Sequence, residues 1–396
     1  MIEQRYKIEW TSASDSSTED ITEAVEINED EGIETTVDKF NFRILMGSMS
    51  ATPAIRDLIK IYFDEGPDTP TTLVMDGEIT ELAHSYNVDG TFIVIRGMNR
   101  LERLLNSPRP FTAAVNFEYA AADAQDGVAR HGVPGIIANL IDLANDTKRE
   151  GQTDITYDVT SLPPTVIGGG AFPDLPQPYY KDWQSVFEHI ETLSRNEWTQ
   201  DGHYVFFLDT SNKFNWVPLD SAPYSDPVSS FVLEGNDVIG WSSFHAVFDV
   251  INAVIMNAGK DLNGNTILAF GLDVTSMGQY GIKWKYEFRE EIANQYIAQN
   301  PGENNDTVRT AVKALAAIEI NKILALYGNP RYKLDLTMLG STSFAKGKVY
   351  SFKSTELGWT VSKKLRLFSI QHIFNTNGWT TSLHFEEDDT TIGAAL

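Results

Sequence analysis

Cysteine is absent from the 396 residues of this chain. Disulfide bonds, thiolate nucleophiles and cysteine-ligated zinc are therefore excluded, and with them several classes of enzyme. Long apolar runs are also lacking, since no stretch approaches the about 20 consecutive apolar residues that span a membrane. The first ten residues have neither a basic region nor an apolar core, so we predict no signal peptide and synthesis in a cytoplasm.

Basic residues are scarce relative to acidic ones. Lysine and arginine number 31 against 55 aspartates and glutamates, which gives a formal net charge of −24. A surface this acidic repels phosphate, so we expect no sequence-specific binding of nucleic acid. Two interpretations stay open: the charge keeps the protein soluble, as in a salty habitat, or it lines a channel along which DNA slides without sticking.

Length and composition favour several β-rich domains. At roughly 150 residues per domain, the chain predicts two to four of them. Hydrophobic residues make up 42% and aromatics 11%, with 28 glycines and 16 prolines among many short β-patterned runs. This mixture predicts a β-rich architecture with helical inserts.

The first hundred residues predict an antiparallel β unit. In Lys39–Met46, apolar residues alternate from Phe40 to Met46 and occupy one face. A loop is expected over residues 15–20, which are rich in serine, threonine and acid. Further strands are predicted over Tyr6–Trp10, Leu58–Asp64, Thr72–Ile79 and Thr91–Arg96. Several short strands with one apolar face each predict a small barrel or sandwich.

The middle of the chain alternates helices and hairpins. Helices are predicted over residues 132–143, Lys181–Arg195, Glu287–Gln299 and Asp306–Tyr327. Hairpins are predicted from Tyr204–Asp209 with Phe214–Leu219, and from Phe248–Asn257 with Ile267–Leu272, the latter turning at Asn263-Gly264. The segment at 161–180, rich in proline and glycine, predicts an irregular connection.

The last predicted helix has its own start and stop signals. Its apolar stripe is expected at Val308, Val312, Leu315 and Ile318. Asp306 is expected to cap the start, and Gly328 to end the helix in a left-handed conformation before Pro330. Beyond Arg331, strands are predicted over Tyr332–Leu339, Lys348–Phe352, Leu365–Phe374 and Thr380–Phe385.

The sequence lacks the residue spacings that metal-binding and phosphate-binding motifs require. The seven histidines show no H-E-x-x-H or H-x-H spacing, and only His372 and His384 fall on neighbouring predicted strands. Asp261–Asn265 faintly resembles a calcium loop but lacks the closing glutamate, so a hairpin is favoured. The Gly168–Gly170 run lacks the lysine and helix start of a phosphate loop.

Catalytic patterns are equally lacking. There is no G-x-S-x-G elbow, and no carboxylate stands in an apolar context that would raise its pKa for acid catalysis. The acidic run Glu386–Asp389 is interpreted as a solvated tail, and Trp183 and Phe187 as core residues. We therefore predict no catalytic, cofactor-binding or metal-binding residues.

The order of several segments is distinctive. Near the start stand KFNFRILM and VMDGEITELAHSYNVDGTFIVIRGMNRLERLL, with Gly77, Ile79, Arg96, Gly97 and Asn99. In the middle come WQSVFEHIETL, YVFFLDTSNKFNWVPL, INAVIMNAGKDLNGNTI and SMGQYGI, the last with Ser276, Tyr280 and Gly281. The end has GNPRYKLDLTMLGSTSFAKGKVYSF and SIQHIFNTNGWTTSLHFEED. This order resembles the baseplate hub proteins of T-even phages, the late-control tail proteins and the hub half of type VI secretion spike proteins.

The resemblance implies a fold and a domain organisation. The fold is α+β and β-rich, with two tail-tube-like antiparallel β-barrels and an intervening helix-and-hairpin region. The implied parts are a first barrel at 1–112, a middle α+β domain at 113–235, a hairpin and helical region at 236–330, and C-terminal barrel strands at 331–396. Residues 236–283 are a candidate addition to the second barrel.

The resemblance also implies a structural function. It implies a homotrimer with a large, obligate interface between its subunits. This trimer joins a sixfold tail tube to a threefold spike, and its two barrels per subunit match the six subunits of the tube. Expected partners are the tube protein, the spike and other baseplate proteins, with DNA passing through the lumen unbound. No cofactor or enzymatic activity is expected. Because nothing follows the last barrel, we expect the spike to be a separate polypeptide in the virion baseplate.

Three alternatives stay open. The first is a tail-tube or distal-tail protein, although a tube subunit needs only one barrel. The second is a tail-associated lysin that cuts cell wall. The third is a secreted carbohydrate-binding β protein, which the lack of a signal peptide disfavours.

Overall fold

The structure is a computed structural model that describes residues 6–14, 16–21, 24–32, 37–64, 69–106, 133–146, 154–157, 185–187, 190, 204–218, 227–245 and 249–387. Its strands form one 13-stranded sheet and two three-stranded sheets, accompanied by few helices. The predicted β-rich α+β character is therefore confirmed. None of the helices in these ranges combines the length and the apolarity that crossing a membrane requires.

Seven antiparallel strands make up what we call the N-lobe. They are β1 (Tyr6–Thr11), β2 (Thr18–Ile21), β3 (Ala24–Gly32), β4 (Lys39–Leu45), β5 (Leu58–Phe63), β6 (Thr72–Asn87) and β7 (Gly90–Asn99). Their order in the sheet is β3-β4-β7-β6-β5-β1-β2. The predicted alternation is confirmed in β5, where Ile59, Ile61 and Phe63 are fully buried.

Two details of the N-lobe prediction are wrong. Met46 lies past the end of β4 and is exposed, because Gly47 turns the chain with a φ of +94°. Part of the stretch predicted as a loop forms β2, because Ile21 pairs with Ile8 and is buried with it.

The middle of the chain forms a small mixed unit. It contains α1 (Glu102–Asn106), α2 (Val133–Asp146), β8 (Thr156–Tyr157), β9 (Tyr204–Leu208) and β10 (Lys213–Pro218). The hairpin of β9 and β10 is confirmed, with β8 added along β10. From the predicted helix at 181–195, Val186, Phe187 and Ile190 are buried in the core of this unit. The rest of that helix, Trp183 included, and the segment at 161–180 with Gly168–Gly170 lie outside the described residues.

A second small unit follows two strands that pair elsewhere, β11 (Pro227–Val232) and β12 (Val238–His245). It comprises β13 (Ala253–Lys260), β14 (Thr266–Leu272), α3 (Val274–Tyr280), β15 (Trp284–Phe288), α4 (Glu291–Gln299) and α5 (Asn305–Tyr327). Its sheet has the order β14-β13-β15, and α4 and α5 cover one face. The predicted turn at Asn263-Gly264 is confirmed, with Gly264 at a φ of +80°.

Several limits in this unit differ from the prediction. The strand of the hairpin begins at Ala253, and Glu287 lies in β15 rather than in a helix. The SMGQYGI segment, for which no element was predicted, forms most of α3 and its end. Gly328 has a φ of −64°, so α5 does not end in the left-handed conformation.

The start and the buried stripe of α5 also differ. Asn304, not Asp306, caps the helix, because its side chain accepts a hydrogen bond from the Thr307 N–H at 2.9 Å. The buried stripe runs at intervals of four through Val308, Val312, Ala316, Ile320 and Leu324, whereas Leu315 and Ile318 are exposed. The reason is close packing on β14: a Cβ on Gly271 would lie 2.1 Å from Cγ2 of Ile320.

The last strands form what we call the C-lobe. They are β16 (Tyr332–Leu339), β17 (Val349–Ser354), β18 (Trp359–Asn375) and β19 (Gly378–Glu387), which β12 extends on one side and β11 on the other. The acidic run is not simply a solvated tail, because Glu386 and Glu387 belong to β19. Glu386 pairs there with Lys333 at 3.1 Å.

The two lobes join into one sheet through β3 and β18. Six residue pairs align these strands, from Ile27 opposite Phe374 to Gly32 opposite Ser369. The pairing of the described strands runs open from β2 to β12, and β12 pairs with β16 across the predicted boundary at 330. Each lobe nevertheless keeps its own hydrophobic core.

Candidate functional site: the junction of the lobes

The strand β3 places acidic side chains in the interior of the sheet. Its sequence alternates so that Ile27, Glu29 and Glu31 share one face, and β4 and β18 flank it on both sides. Glu29 is completely buried and Glu31 is 8% exposed. Carboxylates are rarely buried without a partner, so the junction needs a compensating charge.

Lys346 supplies that charge from the loop between β16 and β17. Its Nζ lies 2.6 Å from Oδ2 of Asp38 and 3.2 Å from Oε2 of Glu31, and the side chain is buried. The same ammonium lies 5.7 Å from the ring centroid of Phe207 in β9. One C-lobe residue thus contacts the N-lobe and the middle unit together.

Asp38 is held in place by donors from the N-lobe. The Asn99 side-chain amide donates to Oδ2 of Asp38 at 2.6 Å, and the Gly32 N–H donates to Oδ1 at 3.1 Å. Asn99 in turn accepts the Leu101 N–H at the start of the turn into α1. Donors of the N-lobe therefore hold Asp38 in the position at which it contacts Lys346.

Burial and mutual charge set the ionisation of this cluster. Burial would lower the pKa of Lys346, but the carboxylates of Asp38 and Glu31 outweigh it and raise that pKa above its usual value. Burial raises the pKa of Glu31 to about 6, although Lys346 opposes the shift. Burial, with repulsion from Glu31 and Asp38, raises the pKa of Glu29 well above its ordinary value. Among the described residues, neither carboxyl oxygen of Glu29 has a hydrogen-bond partner.

His372 faces Glu29 across the junction. The two residues are directly paired between β3 and β18, and His372 is buried. Its Nδ1 accepts the indole N–H of Trp379 at 3.3 Å, and burial lowers the pKa of the imidazole to about 4. The Trp379 ring stacks on Phe63 of the N-lobe with centroids 5.0 Å apart. His372 is therefore a neutral core residue that supports the packing of Trp379 between the lobes.

The two histidines considered for a metal site lie on opposite faces of the sheet. Along β19 the burial alternates, which turns Thr381, the partner of His372, inward and His384 outward. Nδ1 of His384 is instead 2.6 Å from the Asp335 carboxylate. The imidazoles therefore cannot share an ion, and within the described ranges no group of three or more histidine, aspartate or glutamate side chains could hold a metal ion.

The loop that faintly resembled a calcium site is a hydrogen-bonded turn. One carboxylate oxygen of Asp261 accepts the N–H groups of Asn263 and Asn265 at 2.9 and 2.8 Å. The other accepts Arg309 at 3.0 Å. Burial opposes ionisation, but these donors lower the pKa of Asp261 to about 2. Its oxygens are thus committed to protein donors.

A second buried ionic group joins the N-lobe to the middle unit. Arg100 lies 3.2 Å from Asp76 of β6, and Arg103 of α1 lies 2.8 Å from Glu78. The Asn212 amide, at the tip of the β9–β10 turn, donates to Asp76 at 2.8 Å. Together with the contacts of Lys346, this group ties the N-lobe, the C-lobe and the middle unit to one another.

The glycines in the segments that carried the resemblance have a packing function. A Cβ on Gly97 would lie 2.2 Å from both the Glu78 carbonyl oxygen and the Phe40 ring, and one on Gly77 would lie 2.9 Å from that ring. Ile79 is fully buried, Asn99 orients Asp38, and Arg96 makes an exposed ion pair with Glu81. Further along, Ser276 is buried and accepts the Asn252 side-chain amide, and Gly281 ends α3. These residues shape the fold and make no reactive site.

Sequence reasoning missed the junction itself. The sequence alone does not mark the acids of the junction, Asp38, Glu29 and Glu31, because a chain with 55 acidic residues carries many such carboxylates by chance. Nor does it mark Lys346 as their partner. A signal did exist in the E-I-N-E-D-E run of β3. Its alternation places Glu29 and Glu31 on the same face of the strand as the apolar residue Ile27. Acids on the buried face of a central strand predict a buried cation elsewhere.

Comparison with known proteins relates this geometry to tail proteins. No protein family model matches the chain, and no curated protein matches it. Among solved structures, the tail protein from Neisseria meningitidis MC58 is similar with a TM-score of 0.61 and 13% identity, over 99% of each chain. The 43 kDa tail protein of prophage MuSo2 from Shewanella oneidensis gives a TM-score of 0.59 at 12% identity, over 98% of each chain.

One chain of a Francisella complex is similar as well. In the half-lidded PdpA–VgrG complex of Francisella, one chain gives a TM-score of 0.53 at 11% identity. The similarity covers 98% of this chain and 59% of that one. At such identities the matches establish a shared fold. The chain therefore has the fold of phage tail proteins, which its resemblance to the baseplate hub family predicted.

Proposed function

We propose that this protein is the baseplate hub of a phage tail or a related injection particle, a non-enzymatic trimer that joins the tail tube to the spike. The observation that carries the proposal is the match of 99% of the chain to 99% of a tail protein, at a TM-score of 0.61. A match over both full lengths relates the whole arrangement of lobes and small units, not one common β motif.

The two lobes support a symmetry-adapting function. Each has its own sheet portion and core, and they meet side by side through β3 and β18. Three chains would present six lobes, which matches a sixfold tube, while the threefold axis matches a spike. We propose that each lobe corresponds to one tube-like barrel, that its ring is completed in the assembly, and that the chain divides near residues 112, 235 and 330.

The buried junction supports a load-bearing function. Lys346 connects the C-lobe to Asp38 and Glu31 of the N-lobe, and Phe207 brings in the middle unit. Breaking such a pair leaves an uncompensated buried charge, so the angle between the lobes resists change. A hub that transmits force from the tube to the spike needs this rigidity.

The acidic excess supports a channel that does not retain DNA. With a net charge of −24, we propose that part of the charge lines the lumen and that the surrounding tube, spike and baseplate proteins contact the outside. The particle itself is then the site of action, with assembly in the host cytoplasm.

Light scattering during size exclusion, with and without the tail-tube protein of the same particle, tests the proposal. We expect a particle of three 44.2 kDa chains, which binds the end of tube protein assemblies in electron micrographs. If the chain is monomeric at every concentration and does not bind the ends of tube assemblies, the proposal is overturned. Release of peptidoglycan fragments in a zymogram would support the lysin instead.

A further inference from the structure

The outer face of the small sheet β14-β13-β15 is apolar and exposed. Residue pairing places three rows of three side chains on the face opposite α4 and α5. The rows are Leu272-Ala253-Trp284, Phe270-Ile255-Tyr286 and Leu268-Asn257-Phe288. The six residues of the two flanking strands are between 43% and 73% exposed. We call these nine residues the outer face.

The polarity of β15 is the reverse of what a solvated sheet requires. A sheet with one covered face normally turns apolar residues to the helices and polar residues to water. Here Lys285 and Glu287 alternate toward the helix side, where they pair at 2.6 Å, while Trp284, Tyr286 and Phe288 point outward. The opposite face already has its core in α4 and α5. The outer aromatic residues are therefore not needed for that core.

The size of the outer face matches one side of a stable interface. With about 200 Å² for a fully exposed aromatic side chain, the four aromatic residues of the flanking strands alone expose roughly 500 Å². Monomeric proteins rarely expose one apolar patch larger than about 300–600 Å². A standard protein interface buries about 800 Å² on each partner. With the two leucines added, the outer face thus reaches the upper end of what monomers expose and approaches what association requires.

We propose that the outer face is the surface through which one copy of this chain binds the next copy in the trimer. This inference rests on the proposed function. Each chain carries a net charge of −24, so two copies repel each other. This repulsion opposes contact least at a surface without charged residues, and the outer face has none. Permanent contacts between identical subunits are the most apolar class of interface. In a closed ring of three, the outer face binds a different surface of its neighbour.

Charge insertion tests this assignment. Phe270→Glu and Tyr286→Glu place a carboxylate at positions that are 63% and 65% exposed, so the fold of the single chain is expected to persist. Tyr86→Glu, at an 83% exposed position on β6, away from the open edges of the sheet, is the matched control. By light scattering during size exclusion, we expect the first two variants to fall from three copies to one, and the control to remain a trimer.

The outcomes separate the two proposals. If the wild type is trimeric and both outer-face variants remain trimeric, the interface assignment is wrong and the hub proposal stands. If the wild type itself is monomeric, the hub proposal fails first. Circular dichroism identifies a variant that has lost its fold.

Thiol labelling gives a second measurement that needs no loss of assembly. Because the chain has no cysteine, Tyr286→Cys introduces the only thiol, and Val88→Cys, at a fully exposed hairpin tip, is the control. In the trimer we expect maleimide to react at position 286 at least tenfold more slowly than at position 88. Equal rates in the trimer would overturn the assignment, and so would protection in a monomeric protein, because the chain itself would then cover the face.

Discussion

Lys346 and Asp38 form a buried ion pair of 2.6 Å although 308 positions separate them in the chain. The pair exists only when the C-lobe loop reaches the N-lobe, so it reports directly on the packing of the lobes. Glu31 adds a second carboxylate at 3.2 Å. The junction thus has one cation, Lys346, for the three carboxyl groups of Glu29, Glu31 and Asp38. Substitutions that change this ratio should therefore change the free energy of unfolding.

Removing the cation should strongly destabilise the fold. Lys346→Met leaves Asp38 and Glu31 buried without their partner, for which we expect a loss of about 3–5 kcal/mol in the free energy of unfolding. Denaturant unfolding measures it. Arg96→Met, which removes an exposed pair with Glu81, is the control and should change stability by less than about 1 kcal/mol.

The double variant tests the mechanism of that loss. Lys346→Met combined with Asp38→Asn removes one uncompensated charge, so we expect it to be more stable than Lys346→Met alone. Equal or lower stability of the double variant would mean that the ion pair is not what Lys346 contributes.

Neutralising Glu29 should remove a pH-dependent instability. Burial and repulsion raise the pKa of Glu29 in the folded state, so the folded protein holds this proton more tightly than the unfolded chain. The protonated Glu29 side chain contributes its full stabilisation of the fold below its pKa in the unfolded chain, about 4.5, and this contribution is lost as the pH rises. Relative to the wild type, Glu29→Gln should therefore gain stability from pH 4 to pH 7. A difference that is flat with pH in thermal unfolding would contradict the assignment.

His372 should produce the opposite pH dependence. Burial lowers its pKa from about 6.5 to about 4, so between these values the unfolded chain is protonated and the folded protein is not. Its contribution is complete above pH 6.5 and is lost as the pH falls, by about 3 kcal/mol at pH 4. His372→Gln should abolish this part of the acid sensitivity. Identical pH profiles for wild type and variant would show that the imidazole titrates normally.

Gly340 should tolerate no side chain. A Cβ there would lie 2.0 Å from Cδ2 of Trp379, the residue that stacks on Phe63 between the lobes. We expect Gly340→Ala to cost roughly 1–3 kcal/mol, because Trp379 has to move out of its packed position. Gly240→Ala on β12 is the control, since no heavy atom lies within 4 Å of its Cβ. Equal melting temperatures for the two variants would contradict this packing.

Local patterns predicted some strands closely but missed others, among them β3, β11, β12 and β15. Alternation identified β5 and β16 to within a residue, because one face of each strand is buried and the period of two is visible in the sequence. The stripe of α5 was misassigned because the sequence does not show that Gly271 admits Ile320 so closely. The turn at Asp261 was predicted because Asn263-Gly264 is a local signal.

The junction could not be predicted in the same way. The pairing of β3 with β18 depends on contacts between residues more than 300 positions apart, which no local period encodes. Lys346 follows Phe344 and Ala345 in a loop with no regular pattern, and its burial follows only once both lobes are placed. The order of segments that resembled the hub family pointed to the whole fold because it carries this long-range information, which periodicity does not.

Electron cryomicroscopy of the purified oligomer tests the account most directly. We predict a particle of three chains with threefold symmetry, in which six β-lobes surround a central channel and the face carrying Phe270 and Tyr286 is buried between neighbours. A stable particle with a different number of chains, or three chains without an enclosed channel, would contradict the account.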